Sequence, residues 1–421
     1  MKKFLALILA LAMLTTCLAG CGQEAAQTEQ KTTDPVPEAK APDTSDADTA
    51  KSISFLITYS SDKEVMYQCI SDFTAQTGIN VDIQYLPLAE ARNQISIMTA
   101  SGSLPDVMDV DNTDTANYAQ MGILADLTDR VTSEIEMDQY YEGVLNNSKW
   151  DNKYYGLPFT ANNLAMYCNM DLLAQAGVDA VPTTWEEMLD ACEKLKQIGV
   201  TGFGIAANQS TDTSFQMWPV LWSNGVDYTD LGSQNTIDTL TIYETMAKNG
   251  YMTTEAIQYA SGDNANQFIA GNIAMIIDGP WRLRSIESGV SFQFQVAPIP
   301  AGTAGQATVL GGHNFAITKG GNEDAAWEFV KYMNSPEVMQ KYYEAENYIP
   351  ARKDVCQASE YFKGENLAPF VSAMENASPM PKDNYNALSD ILIEMLQSVV
   401  LDVSTPADAA ATAKTQFDAL D

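Results

Sequence analysis

One histidine, His313, occurs in 421 residues, and no Cys-x-x-Cys pair is present. A Ser-His-Asp triad or a zinc hydrolase needs histidine in company, so neither chemistry is well served. The Gly-x-Ser-x-Gly elbow of the α/β-hydrolases is also missing. Basic residues are scarce: 23 Lys and Arg stand against 55 Asp and Glu, for a formal charge of −32. Such a surface repels nucleic acid and anionic lipid headgroups. Carboxylates are so abundant that counting alone does not exclude a secreted carbohydrate-active enzyme with paired acids. Past the N-terminus, no apolar run approaches the ~20 residues of a membrane-spanning helix.

What is present begins with an export signal. Met1-Lys2-Lys3 precedes an apolar run from Phe4 to about Leu14. Leu18-Ala19-Gly20-Cys21 resembles a bacterial lipobox, in which the Cys thiol is acylated and becomes the new N-terminus. Residues 1–20 therefore read as a lipoprotein signal peptide, and Cys21 as a lipid anchor on the extracellular face of the cell membrane. Loss of Lys2 and Lys3 leaves the mature chain two units more negative. Residues 22–50 carry no aromatic and no aliphatic larger than Val36. They cannot bury enough apolar surface to offset their ordering entropy, so 21–50 reads as a disordered tether. The roughly 370 residues that follow exceed one compact core and suit two lobes. Cys69, Cys168, Cys192 and Cys356 remain after export, an even number that permits disulfides. Cys69 and Cys192 fall on apolar helical stripes, which favours buried free thiols there.

Ile53, Phe55, Ile57 and Tyr59 alternate as a strand does. Val65, Met66, Cys69, Ile70 and Phe73 then follow at helical spacing. A strand over 79–85, a helix over 89–100 carrying Ile95, Ile97 and Met98, and a strand from Leu104 complete a β-α-β-α-β lobe with a parallel core. The polar stretch Asp109-Val-Asp111-Asn112-Thr-Asp114 reads as a loop at that strand's carboxyl end. It is a poor calcium loop, because Asp114 occupies the sixth position and Gln120 the twelfth. Thr184 and Glu187 have capping-box spacing ahead of a helix buried through Trp185, Met188, Leu189, Cys192 and Leu195.

Ile273 to Ile277 is a short apolar run between Gly271 and Gly279-Pro280, as in a strand of a parallel sheet buried on both faces. Ligands of open α/β sheets sit beyond strand carboxyl ends, which is where Trp281 falls. The stretch Phe268–Trp281 resembles the late signature of the family 1 extracellular solute-binding proteins, the maltodextrin-binding-like receptors of ABC importers. Further resemblances follow in family order: Tyr118-Ala-Gln-Met-Gly122, Tyr155-Gly-Leu-Pro158 with Tyr167, Pro182-Thr-Thr-Trp-Glu-Glu187, Gly311-Gly312 with Ala316-Ile317, and Ile349-Pro-Ala-Arg352. In the last, Asn347-Tyr348 stands where the family has Gly. The resemblance implies a periplasmic-binding-protein-like α/β fold of two lobes with a central cleft and a multi-strand hinge. It divides the chain into 51–161 plus 314–348 and 162–313 plus 349–421. It further implies a non-enzymatic receptor, a monomer, that delivers a carbohydrate to ABC transporter permease subunits without cofactor or metal.

Candidate ligand residues are those able to answer a sugar's two surfaces. Ring faces stack on aromatics, and rims of hydroxyls meet carboxylates and amides. Tyr59, Asp109, Asp111, Asn112 and Asp114 fall on the first lobe. Asn162, Phe215, Trp218, Trp281 and Tyr385 fall on or near the second, with His313 and Asn314 on the return crossing. An anion receptor would need Arg or Lys in loops that read as acidic or neutral. A cationic solute such as a polyamine would suit Asp109, Asp111 and Asp114 and stays open as the alternative.

Overall fold

The computed structural model describes residues 51–58, 63–381 and 384–420. The signal peptide, the tether, Cys21 and Tyr59 lie outside the described residues. Among the described residues no helix is long and apolar enough to cross a membrane.

Two mixed sheets organise the described residues, beside a separate two-stranded pair of β4 (Lys149–Trp150) and β5 (Lys153–Tyr154). In the first, strands run in the order β12-β6-β11-β3-β1-β2, and β13 pairs with β11. Here β1 is Ser52–Ile57, β2 Asn80–Tyr85, β3 Val107–Asp111, β6 Leu157–Asn162, β11 Val309–Ile317, β12 Ile349–Pro350 and β13 Ser378–Pro379. The parallel β2-β1-β3 part matches the expected lobe. The antiparallel pairs β3-β11 and β11-β6 widen it with chain from far downstream. The second sheet has the order β10-β7-β9-β8, with β7 Ala165–Asn169, β8 Thr201–Gly204, β9 Ile273–Asp278 and β10 Phe294–Ala297. All six residues of β9 are buried, as its apolar run predicts. Its neighbours differ from the parallel expectation: β8 is parallel and β7 antiparallel. The reason is that β7 arrives directly from β6 through Asn163-Leu164 and so enters from the other sheet.

That short connection is one strand-to-strand crossing between the sheets. A glycine makes the return possible. Gly312 has φ +145, and a Cβ there would lie 2.3 Å from the Thr160 carbonyl oxygen. Only glycine lets β11 lie that close to β6, where the pairing register shifts between His313 and Asn314. Asn347 ends the Pro336–Glu346 helix in a left-handed conformation, φ 59. Asn is the side chain that best tolerates that region after glycine, which explains its place in the motif. Beyond it, β12 is hydrogen-bonded to β6 at Ile349 and Pro350. Residues 349–350 thus pair within the first sheet. A two-residue edge strand can hold a proline, which has no N–H to give.

The Lys63–Thr77 helix buries Met66, Cys69, Ile70 and Phe73, the predicted stripe. In the Leu88–Ser101 helix the buried side is Ala91 and Ile95, while Ile97 is 59% exposed. Ile97 is two positions from Ile95, which points it off the stripe. Under the first sheet, Phe55, Phe159, Phe315, Phe329 and Tyr343 share one core, with Phe159 and Phe315 stacked at 4.2 Å. The Tyr385–Val400 and Pro406–Asp418 helices pack on the Thr211–Ser223 and Gln234–Lys248 helices beside the second sheet. Cys69, Cys168, Cys192 and Cys356 are all buried and unpaired as disulfides.

Candidate functional site

The carboxyl ends of β3 and β9 and the middle of β11 meet at one cavity of about 260 Å³. Its first-sheet wall is Leu88, Arg92, Asp111, Asn112 and Thr113. Asn162, Gly311, Gly312, His313 and Tyr348 form the floor. The opposite wall is Asp212, Phe215, Ser261, Trp281, Arg282 and Tyr385. A larger cavity of about 770 Å³ adjoins it through the shared residues Thr113 and Tyr385.

The polar stretch after β3 is not the loop that the sequence suggested. Asp111 ends β3 and caps the Asn112–Gln120 helix. Its Oδ1 accepts the Thr113 N–H at 2.9 Å and the Thr113 hydroxyl at 2.7 Å. Local capping therefore holds the first wall rigid. Two residues earlier, Asp109 sits deeper in the sheet and is 1% exposed. It accepts from the Thr58 N–H and hydroxyl and lies 3.1 Å from His313 Nδ1.

Trp281 follows the β9 terminus as predicted. Asp278 Oδ1 accepts the Gly279 N–H at 2.8 Å, and the Tyr167 hydroxyl donates to the Gly279 carbonyl at 2.8 Å. The indole then folds back over Gly279 so closely that a Cβ there would stand 2.1 Å from its ring carbons. Phe215 tilts against it at 6.4 Å. Tyr385 begins its helix with its hydroxyl 3.4 Å from Ser214 Oγ.

Seven of the predicted ligand residues line the inner cavity: Asp111, Asn112, Asn162, Phe215, Trp281, His313 and Tyr385. Four do not. Asp114 borders the larger cavity, paired with Arg92. Asp109 is covered by Thr58 and His313. Asn314 is 1% exposed and donates to Thr115 Oγ1 at 2.9 Å, because neighbouring strand residues point to opposite faces. Trp218 is fully buried in the second core, stacked on Trp222 at 5.0 Å. Phe215, three residues earlier on the same helix, takes the cleft position instead.

Two arginines correct the expectation of acidic or neutral walls. Arg92 Nε is 2.7 Å from Asp114 Oδ2, and Arg282 Nε is 3.3 Å from Asp278 Oδ2. Arg282 was traceable, since it stands four residues beyond the strand-end Asp278. Arg92 lies on an ordinary amphipathic helix and carries no sequence signal. Tyr348 was also missed as a wall residue. Burial and the neighbouring Asp111 push the Asp114 carboxyl up to about 6, against the pull of Arg92. Burial does the same to Asp278, also to about 6, against Arg282. For His313, burial opposes the charge, yet Asp109, Asp111 and Asp114 outweigh it and lift the imidazole to about 9. Asn112 Oδ1 and Asn162 Oδ1 are buried and accept no hydrogen bond. The wall thus offers rings, amides, carboxylates and guanidinium edges.

Comparison with known proteins gives a consistent picture. The sequence model of the bacterial extracellular solute-binding proteins matches residues 68–369. A binding protein of Brucella abortus is 24% identical over 82% of this chain and 86% of its own. A maltooligosaccharide ABC transporter solute-binding lipoprotein of Streptococcus pneumoniae is 25% identical, over 83% of this chain and 85% of its own. Among solved structures, the GacH receptor of Streptomyces glaucescens, crystallised unliganded and in complex with acarbose, superimposes with a TM-score of 0.80. It is 25% identical, over 88% of this chain and 98% of that one.

Proposed function

The chain belongs to the bacterial extracellular solute-binding proteins, and from that premise we propose that it captures a carbohydrate and hands it unaltered to an ABC importer. One observation carries the reading. A single cavity has Trp281, Phe215 and Tyr385 on one wall, with the hydrogen-bonding groups of Asp212, Ser261 and Arg282 beside them and those of Arg92, Asp111 and Asn112 opposite. That is the combination a sugar needs, rings for its C–H faces and polar groups for its hydroxyls. The walls come from different sheets joined by the β6-β7 crossing and by the return from β10 to β11, so bending at those crossings closes them on the solute. Relatives named for maltooligosaccharide binding, and a neighbour crystallised with acarbose, support the same class. The polyamine alternative loses ground, because Asp109 and Asp114 are already engaged by His313 and Arg92.

A ligand that binds only the folded state raises the melting temperature, by ~2.7 kcal/mol of stabilisation at a hundred times its Kd. Thermal shifts are expected with members of a mono- and oligosaccharide panel and not with spermidine. A shift with spermidine alone would overturn the reading. We further propose that the protein works as a lipid-anchored monomer outside the cell, tethered through Cys21. The pneumococcal relative named as a lipoprotein supports this. Cys21→Ser is expected to release the protein into the medium, and full membrane retention of that variant would refute the anchor.

A further inference from the structure

Charge matching at the cleft narrows the solute further. Each cation there already faces a buried carboxylate: Arg92 with Asp114, Arg282 with Asp278, His313 with Asp109. Two wall carboxylates remain, one on each side. Asp111 bonds only Thr113, and Asp212 accepts only the Ser261 hydroxyl at 3.1 Å. Neither has a cation within ion-pair distance among the described residues; Arg92 and Arg282 reach them only through those hydroxyls, at 3.4 Å to Thr113 and 3.2 Å to Ser261, so three cations serve five carboxylates.

A second, independent observation points the same way. Asn112 and Asn162 are 8% and 7% exposed, and the Oδ1 of each accepts nothing. Both line the cavity. An unmade buried acceptor is costly, so a donor that reaches it is favoured. A hydroxyl supplies a donor but brings acceptor lone pairs with it. An ammonium brings donors only, and it also cancels charge. Trp281, Phe215 and Tyr385 add faces that attract a cation.

We propose that the solute carries a protonated amine on its polyol frame: an amino sugar or an amine-bearing oligosaccharide. The proposal rests on the carbohydrate reading above and adds a single charge to it. The amine lies between Asp111 and Asp212, while the ring stacks on Trp281.

Calorimetric titration of the full-length protein with matched sugars tests it. Glucosamine is compared with glucose, and the chitosan disaccharide with cellobiose, at mildly acidic pH where the amine is charged. The amino member of at least one pair is expected to bind roughly tenfold tighter or more, with the gap narrowing at high salt. Asp111→Asn and Asp212→Asn are expected to shrink that ratio. Asn caps a helix as well as Asp, so the first change removes charge without unravelling the wall. Equal or tighter binding of the neutral members overturns the amine and leaves the carbohydrate reading standing. So does binding of neutral maltodextrins with no response to either pair. Silence toward every sugar overturns both.

Discussion

Trp281→Ala is expected to cost about 2–4 kcal/mol of binding free energy, a loss of ~30- to 1,000-fold in affinity. The indole is the largest ring on the cavity wall, and nothing behind it can take its place. Phe215 is 6.4 Å away and tilted by 44°, so removal opens a gap that water fills. A partner variant separates ring position from ring chemistry. Gly279 has an ordinary backbone, φ −96 and ψ 177. Alanine fits that backbone, but its Cβ would stand 2.1 Å from the Trp281 ring carbons. The ring must swing away, so Gly279→Ala is expected to weaken binding while the indole itself is still present. Both are read by calorimetry with the strongest ligand of the sugar panel, alongside urea unfolding to confirm folding. Wild-type affinity in both variants would remove Trp281 from the site.

The two residues show what local sequence can and cannot foretell. Trp281 was legible because a buried strand, a Gly-Pro stop and an aromatic stand in line, and strand ends are where such sheets hold ligands. The parallel lobe around β1 to β3 was legible for the same reason: its periodicities are local. The arrangement of β11 between β3 and β6 was not, since it joins residues about 150 to 200 positions apart by backbone pairing that leaves no spacing pattern. Only the resemblance to a family suggested it. Aromatic choice at the cleft failed in a telling way. Phe215, Trp218 and Trp222 share one helical face by spacing, yet only Phe215 lies at the end that reaches the cavity. Periodicity tells which face is apolar, not how far along the helix the core stops. Asp109 and Asp111 differ for a similar reason. They share a face of β3, and only the one at the strand's end meets solvent.

Asp109→Ala is expected to lower stability by about 3–5 kcal/mol, because it leaves the His313 charge buried without its partner. It also strands the Thr58 N–H and hydroxyl, which donate to Asp109. The pH dependence identifies the cause. His313 is lifted from its ordinary value of 6.5 to about 9 in the folded chain, with Asp109, Asp111 and Asp114 facing it. A group whose pKa is raised by folding adds stability that is fully present below its unfolded pKa. That stability is lost as pH rises through the folded value. The wild-type urea midpoint should therefore carry a component that declines between about pH 6.5 and 9. Asp109→Asn removes the nearest negative charge and leaves burial, which pushes the imidazole down. The difference between wild type and Asp109→Asn is therefore expected to be largest below pH 6.5 and to shrink toward pH 9. His313→Gln removes the titrating group, so its own midpoint should lose that decline. A wild-type to Asp109→Asn difference that stays constant across the range would mean that the pair holds the hinge by shape alone, with no charge on the imidazole.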